Sequence, residues 1–267
     1  MKDQFNIAYT IDDNEQQLDL MLSSMDTLLK FNKVDNIYIM YWNIDEKVLV
    51  DKINEKKYLD IYDTDFYLYK FDISSVDQYF CDIKLPNVCN PNLRYSSLAR
   101  WFITYVIPHP YYWYIDTDIL FKEDIRDEFI KYQNSVELMF AFNRKNYDWD
   151  CITKYFPTED INAGILFINA EVYNKLITLP DILNFYYEND ENIHYVNQSC
   201  YKYLFDKFSD KCHIEQSDIY NIRPLFKYGK DINNEMNEEH YNKVKIFHLN
   251  GSQKFLYKET YNKIMNL

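Results

Sequence analysis

The first 45 residues constrain the fold of this chain more tightly than any other part of it. The opening stretch FNIAYTIDDN is apolar through Ile11 and then stops abruptly at Asp12, Asp13 and Asn14. In NEQQLDLMLSSMDTLLKF, residues Leu18, Met21, Leu22, Met25 and Leu29 recur at helical spacing, with an Asp or Asn ahead of them to cap the helix. NIYIMYW then reads as a second strand. Strand, helix and strand in so short a span build a parallel sheet with helices packed on its faces. Ligands of such sheets bind at the carboxyl ends of the strands, which is where the acids of IDDN fall.

The same alternation continues. SSLARWFITYVI is expected to be a helix capped by Ser96 or Ser97, with Leu98, Trp101, Phe102, Tyr105 and Val106 on its apolar stripe and Arg100 off it. After the breakers of PHP, the apolar run YYWYI reads as a central buried strand, which puts Asp116 and Asp118 at a second strand end. VELMFAFN, INAGILFIN and KVKIFHL are further strand candidates, and NQSCYKYLFDKF suits a helix. The polar KYGKDINNEMNEEHYNK reads as a surface loop or short helix. With no repeat, low-complexity linker or composition break, the expectation is one α/β domain over residues 1–267, a mostly parallel central sheet flanked by helices.

Charge and cysteine usage exclude several function classes. A formal net charge of -13 argues against non-specific nucleic-acid or anionic-membrane binding, which needs a basic surface. It also means that an anionic substrate needs a cation. The five cysteines form no C-x-x-C pair, so neither a disulfide framework nor a zinc ribbon is indicated. The start, MKDQFNIAYTIDDNE, has no basic segment leading into an apolar one, and no apolar run is long enough for a transmembrane helix. These features predict a soluble, cytoplasmic protein.

An Asp-x-Asp at the mouth of a buried strand holds two hard oxygen donors on one turn. That suits Mg²⁺ or Mn²⁺, which take carboxylate ligands and leave positions open for phosphates. Acids that merely cap a turn would look the same. An aspartyl-phosphatase motif also follows an apolar strand, but near the amino terminus and with Thr or Val where this chain has Leu120. The late segment FHLNGSQKF adds His248, Gly251 and Lys254: an imidazole for the metal, a glycine for close backbone approach and a cation for phosphate. With the Asp-x-Asp, they make a diphosphate site.

Four features in the same order resemble glycosyltransferase family 8, the retaining group that includes glycogenin and lipopolysaccharide galactosyl- and glucosyltransferases. IAYTIDDN resembles its uridine-holding turn, SSLARWF followed by WYIDTDIL its Arg helix and metal-binding Asp-x-Asp, INAGILFIN its sugar-site signature, and HLNGSQK its closing motif without Pro and Trp. The likeness spans about residues 5 to 256. It implies a GT-A nucleotide-diphospho-sugar transferase fold and a metal-dependent retaining transfer of a hexose, glucose or galactose, from a UDP-sugar. Asp116, Asp118 and His248 would hold Mn²⁺ or Mg²⁺. Thr10, Asp12, Asn14, Arg100, Asp116, Thr117, Asn162, Ala163, Gly164, Gly251 and Lys254 would contact the nucleotide-sugar, and Gln198, Asp160 and Arg100 would serve catalysis. The acceptor is expected to be a glycan, a lipid-linked glycan or a protein.

Two positions depart from the family pattern. Glu15 stands where an aromatic residue stacks on uracil, and Asn197-Gln198 replaces Asp-Gln. These departures keep a non-catalytic nucleotide-sugar-binding module open as a rival, and the 27 tyrosines do the same for glycogenin-like self-glucosylation.

Overall fold

The computed structural model describes residues 3–72, 91–144, 161–178, 180–182, 184–185, 196–222, 238–249, 254 and 256–267, with the side chains of 91–98, 144, 196–197 and 240 outside that description. Nine strands are present among the described residues: β1 Asn6–Ile11, β2 Asn36–Tyr41, β3 Asp65–Lys70, β4 Tyr111–Ile115, β5 Ile119–Phe121, β6 Met139–Arg144, β7 Ile165–Asn169, β8 Cys212–Ser217 and β9 Ile246–His248. Seven of them form one sheet in the order β3-β2-β1-β4-β7-β6-β8. All pairings are parallel except those of β7, which runs against both β4 and β6. The expected α/β architecture with a mostly parallel sheet is therefore present, with one strand reversed.

That reversal positions the site. Parallel strands β1 and β4 both end at one rim, and the antiparallel β7 starts there, so the turn before β7 meets the ends of the other two. The short strands β5 and β9 pair with each other outside the main sheet, Ile119 opposite His248 and Phe121 opposite Ile246.

Alternation along the central strands divides two cores. Ile7, Tyr9 and Ile11 of β1 and Trp113 and Ile115 of β4 face a core shared with the helices Glu15–Phe31 and Arg126–Ser135. There Trp113 stacks on Phe129 at 4.1 Å between ring centroids and donates from Nε1 to Gln133 Oε1. Ala8, Tyr112 and Tyr114 face the opposite core, under the helices Pro91–Val106, Ala170–Leu176 and Val196–Lys207. A third, smaller cluster joins Leu120, Phe247 and Leu249 to Leu20 and to Tyr257 and Ile264 of the last helix, Tyr257–Met265.

Asn14 caps the first helix, its Oδ1 accepting from the Gln16 N–H. The helix expected to start at Ser96 or Ser97 begins instead at Pro91, because proline suits a first helical turn whose N–H groups have no partner. Its buried face also differs from the apolar stripe. Ala99, Arg100, Trp101, Ile103 and Thr104 are buried, whereas Tyr105 and Val106 are exposed. Arg100 is drawn inward because a carboxylate waits for it there. The polar stretch 227–243 ends in a helix, Glu238–Lys243, and the rest of it lies outside the described residues. No described helix is long and apolar enough to cross a membrane.

Candidate active site

Three ligand atoms converge at the rim. One from each of Asp116, Asp118 and His248 lie within 4.8 Å of one another. His248 Nε2 is 3.2 Å from Asp118 Oδ1 and 3.7 Å from Asp116 Oδ2. Asp116 follows β4 directly; Asp118 precedes β5, and His248 ends β9 opposite Ile119. The backbone locks this arrangement: Asp116 N–H donates to Gly164 O at 2.8 Å, and Leu249 N–H donates to Asp118 O at 2.9 Å.

Each carboxylate keeps one oxygen for the cluster and gives the other to the protein. Asp116 Oδ1 receives the Arg100 guanidinium and, at 2.9 Å, the Tyr114 hydroxyl. Arg100 also lies over the Tyr114 ring at 4.3 Å and donates to Ala163 O at 3.2 Å. Burial alone would lower the Arg100 pKa, but the Asp116 carboxylate beside it raises it instead. Tyr114 OH is in turn 3.1 Å from Thr10 Oγ1. Asp118 Oδ2 faces Lys254 Nζ at 3.9 Å. Although burial opposes ionisation of Asp118, the neighbouring His248 and Lys254 outweigh it, and its carboxyl is held below the usual value.

Gly164 makes the convergence possible. A β-carbon there would lie 2.4 Å from His248 Cε1 and 2.9 Å from Asp116 Oδ2, closer than side-chain atoms approach. Its N–H donates to Asn162 Oδ1 at 2.9 Å, which fixes the Asn162 carboxamide against the turn. Two carboxylate oxygens and one imidazole nitrogen, backed by fixed partners, form a donor set that suits Mn²⁺ or Mg²⁺. The residues therefore fit the cation.

The other anticipated residues are distributed around this centre. Asp12 is buried at the end of β1, its Oδ1 accepting from Asn14 N–H, and burial raises its carboxyl despite that bond and the nearby Lys254. Lys254 thus acts electrostatically on Asp12 as well as Asp118. Asn14 and Glu15 are exposed at the same turn, and Thr117 is half-buried between the two site acids. Gln198 is half-buried in the first turn of the helix Val196–Lys207. Asp160, Gly251 and the side chain of Asn197 lie outside the described residues.

Two residues were missed. Tyr114 holds Asp116, and Asn221 Oδ1 is 2.7 Å from His248 Nδ1. Tyr114 looks in the sequence like any other aromatic of a buried strand, and Asn221 falls in no periodic segment.

No protein-family model and no curated protein matches the chain. Solved structures do. The glycosyltransferase GlyE of Streptococcus pneumoniae TIGR4 aligns with 98% of this chain and 62% of its own, at 16% identity and a TM-score of 0.65. The galactosyltransferase LgtC, solved with donor and acceptor sugar analogues, aligns over 98% of this chain and 95% of its own at 12% identity and a TM-score of 0.68. Mouse xyloside xylosyltransferase 1 aligns over 94% and 99% at 12% identity, with a TM-score of 0.59. The chain thus spans less than two thirds of GlyE and nearly all of LgtC. Its mixed, mostly parallel sheet with flanking helices is that of the GT-A glycosyltransferase fold.

Proposed function

We propose that residues 1–267 act as one metal-dependent retaining glycosyltransferase domain of family 8 type, moving a glucose or galactose from a UDP-sugar to a glycan, lipid-linked glycan or protein. The observation that carries this reading is the convergence of Asp116, Asp118 and His248 at the rim where β1 and β4 end. LgtC, of the same fold, is itself a galactosyltransferase solved with donor and acceptor analogues. A Mn²⁺ or Mg²⁺ bound to the three side chains would supply Lewis-acid neutralisation of the departing diphosphate.

The chain's own groups divide the remaining work. Asp116 Oδ2, Asp118 Oδ1 and His248 Nε2 present the ligand atoms. Lys254, with the Gly251 backbone, adds positive charge and close approach for the phosphates. Thr10, Asp12, Asn14 and Thr117 border the nucleotide, while Asn162, Ala163 and Gly164 border the sugar. Arg100, held on Asp116 and Ala163 O, fixes the carboxylate that would bind the cation and keeps a guanidinium on the side of the rim that would take the donor's negative groups. Asp160, just before the sugar motif, is assigned to sugar or acceptor hydroxyls, and Gln198 is an amide rather than an acid nucleophile, so departure and attack on the same face is the reading, without a covalent glycosyl-enzyme.

UDP release is the test, measured over a panel of UDP-sugars with added Mn²⁺. One donor should support release, and Asp116→Asn and Asp118→Asn should each lower it by about two to four orders of magnitude, as for loss of one preorganised electrostatic stabiliser. Unchanged donor binding in both variants, with no release from any donor by the native chain, would overturn the transferase in favour of a binding module. Hexose-sized increments in the intact mass of the protein itself would assign the acceptor to the chain.

A further inference from the structure

Asn221 is wholly buried and has a φ of 61°, in the left-handed region. Glycine is the least costly residue there; Asn is tolerated, and brings a side chain. The backbone around it is fixed on both sides. Ser217 Oγ accepts from the N–H groups of Ile219 and Tyr220, and Ile222 bridges Phe247 in parallel, with His248 N–H donating to Ile222 O at 2.9 Å. The segment is thus tied to the strand that carries His248, and the left-handed turn aims the Asn221 carboxamide at the imidazole, Oδ1 to Nδ1 at 2.7 Å.

We infer that Asn221 is a positioning residue that fixes the tautomer of His248. The inference rests on the metal-site reading above. An amide oxygen only accepts, so the ring must carry its hydrogen on Nδ1. A neutral ring then has its lone pair on Nε2, facing Asp118 Oδ1 at 3.2 Å and Asp116 Oδ2 at 3.7 Å. The opposite tautomer would set the Nδ1 lone pair against the amide oxygen. Turning the carboxamide over would reverse the outcome: its NH₂ would donate to Nδ1, Nε2–H would donate to Asp118, and no nitrogen would remain for a cation. The orientation of one amide therefore decides whether His248 is a ligand or a hydrogen-bond donor. An outer partner that sets the tautomer of a ligating histidine is worth about 10–100-fold in metal affinity.

The experiment uses the whole chain and two substitutions. Asn221→Gly keeps the left-handed backbone and removes the acceptor; Asn221→Asp keeps an acceptor. Mn²⁺ affinity is measured from free-ion electron paramagnetic resonance. The tautomer is read from long-range proton–nitrogen correlations of the neutral imidazoles, with His248 assigned through His248→Gln. The inference expects hydrogen on Nδ1 in the native protein, a roughly 10–100-fold weaker Mn²⁺ affinity in Asn221→Gly with loss of the single tautomer, and native or tighter binding in Asn221→Asp. Native-like affinity and tautomer in the Gly variant, or failure of the Asp variant to restore what Gly loses, would assign Asn221 to the turn alone. A neutral His248 ring with its hydrogen on Nε2 and none on Nδ1 in the native chain would overturn the inference outright. A native chain with Nδ1–H that binds no Mn²⁺ would sink the metal reading instead, and the two failures are told apart by the spectrum.

Discussion

Replacing Gly164 with Ala adds one carbon at the most crowded point of the rim. The new Cβ would sit 2.4 Å from His248 Cε1 and 2.9 Å from both Asp116 Oδ2 and His248 Nδ1. Carbon atoms pack at about 3.5–4.0 Å, so relief of the shortest contact requires about 1 Å of movement. The ring has little room to retreat. His248 is 1% exposed, its backbone is paired to Ile119 and Ile222, and its Nδ1 is held by Asn221. The turn has little room either, since Gly164 O accepts from Asp116 N–H and its own N–H is tied to Asn162. Movement therefore falls on the ligand atoms, whose usable tolerance for a cation is about 0.2 Å. The expected result is a Mn²⁺ affinity lower by at least tenfold, turnover lower by about 10²-fold, and an overpacking cost of about 1–3 kcal/mol. Mn²⁺ titration, UDP release and thermal denaturation of the same preparation measure the three. A folded Gly164→Ala protein with native Mn²⁺ affinity and native turnover would refute the reasoning, because it would mean that the rim yields without disturbing its ligands.

Tyr114→Phe removes the hydroxyl that donates to Asp116 Oδ1 and meets Thr10. Loss of one bond to a charged group should lower stability by about 1.5–3 kcal/mol in denaturant titration and weaken Mn²⁺ by about tenfold; no change in either would show that Arg100 alone holds the carboxylate. Asp12 tests pH dependence. Burial raises its carboxyl, so the folded state binds the proton more tightly than the unfolded one and the ionised form carries a penalty at neutral pH. Asp12→Asn should therefore melt higher than the native chain at pH 7, with the gap closing below about pH 4, where Asp12 is protonated in both states; donor affinity should fall in the same variant. A lower melting temperature at pH 7 would reverse the sign.

The pattern-based reading reached the first strand–helix–strand unit because its apolar spacing is local and strongly periodic. It could place Asp116, Asp118 and His248 at strand ends, where the structure brings them together, because their motifs flank strands. Direction was not legible: INAGILFIN is apolar throughout and reads the same whichever way the strand runs, so the reversal of β7 and the approach of Gly164 to His248 had no local signal. Nor was the burial of Arg100, which depends on Asp116, sixteen residues on, rather than on the helix's own hydrophobicity. Capping serine rules favoured Ser96 or Ser97 as a helix start, and the proline at position 91 overrode them. Asn221 escaped because its role depends on a backbone angle and a partner in another strand, neither of which composition records.

The pairing of β5 with β9 sets a clock on assembly. Residues 119–121 can complete their ribbon only when residues 246–248 are available. A nascent chain carrying both site aspartates must therefore wait for more than a hundred further residues before its imidazole arrives. Closing so long a span is entropically slow compared with the local pairing of β1 and β2. On a ribosome making about 5–20 residues per second, this delay is several seconds or more, during which the half-built rim lacks its imidazole. Cation capture at this rim, as proposed, would therefore have to await completion of the tertiary structure, and a chain truncated before His248 would lack the imidazole of the cluster however well its first strands had formed.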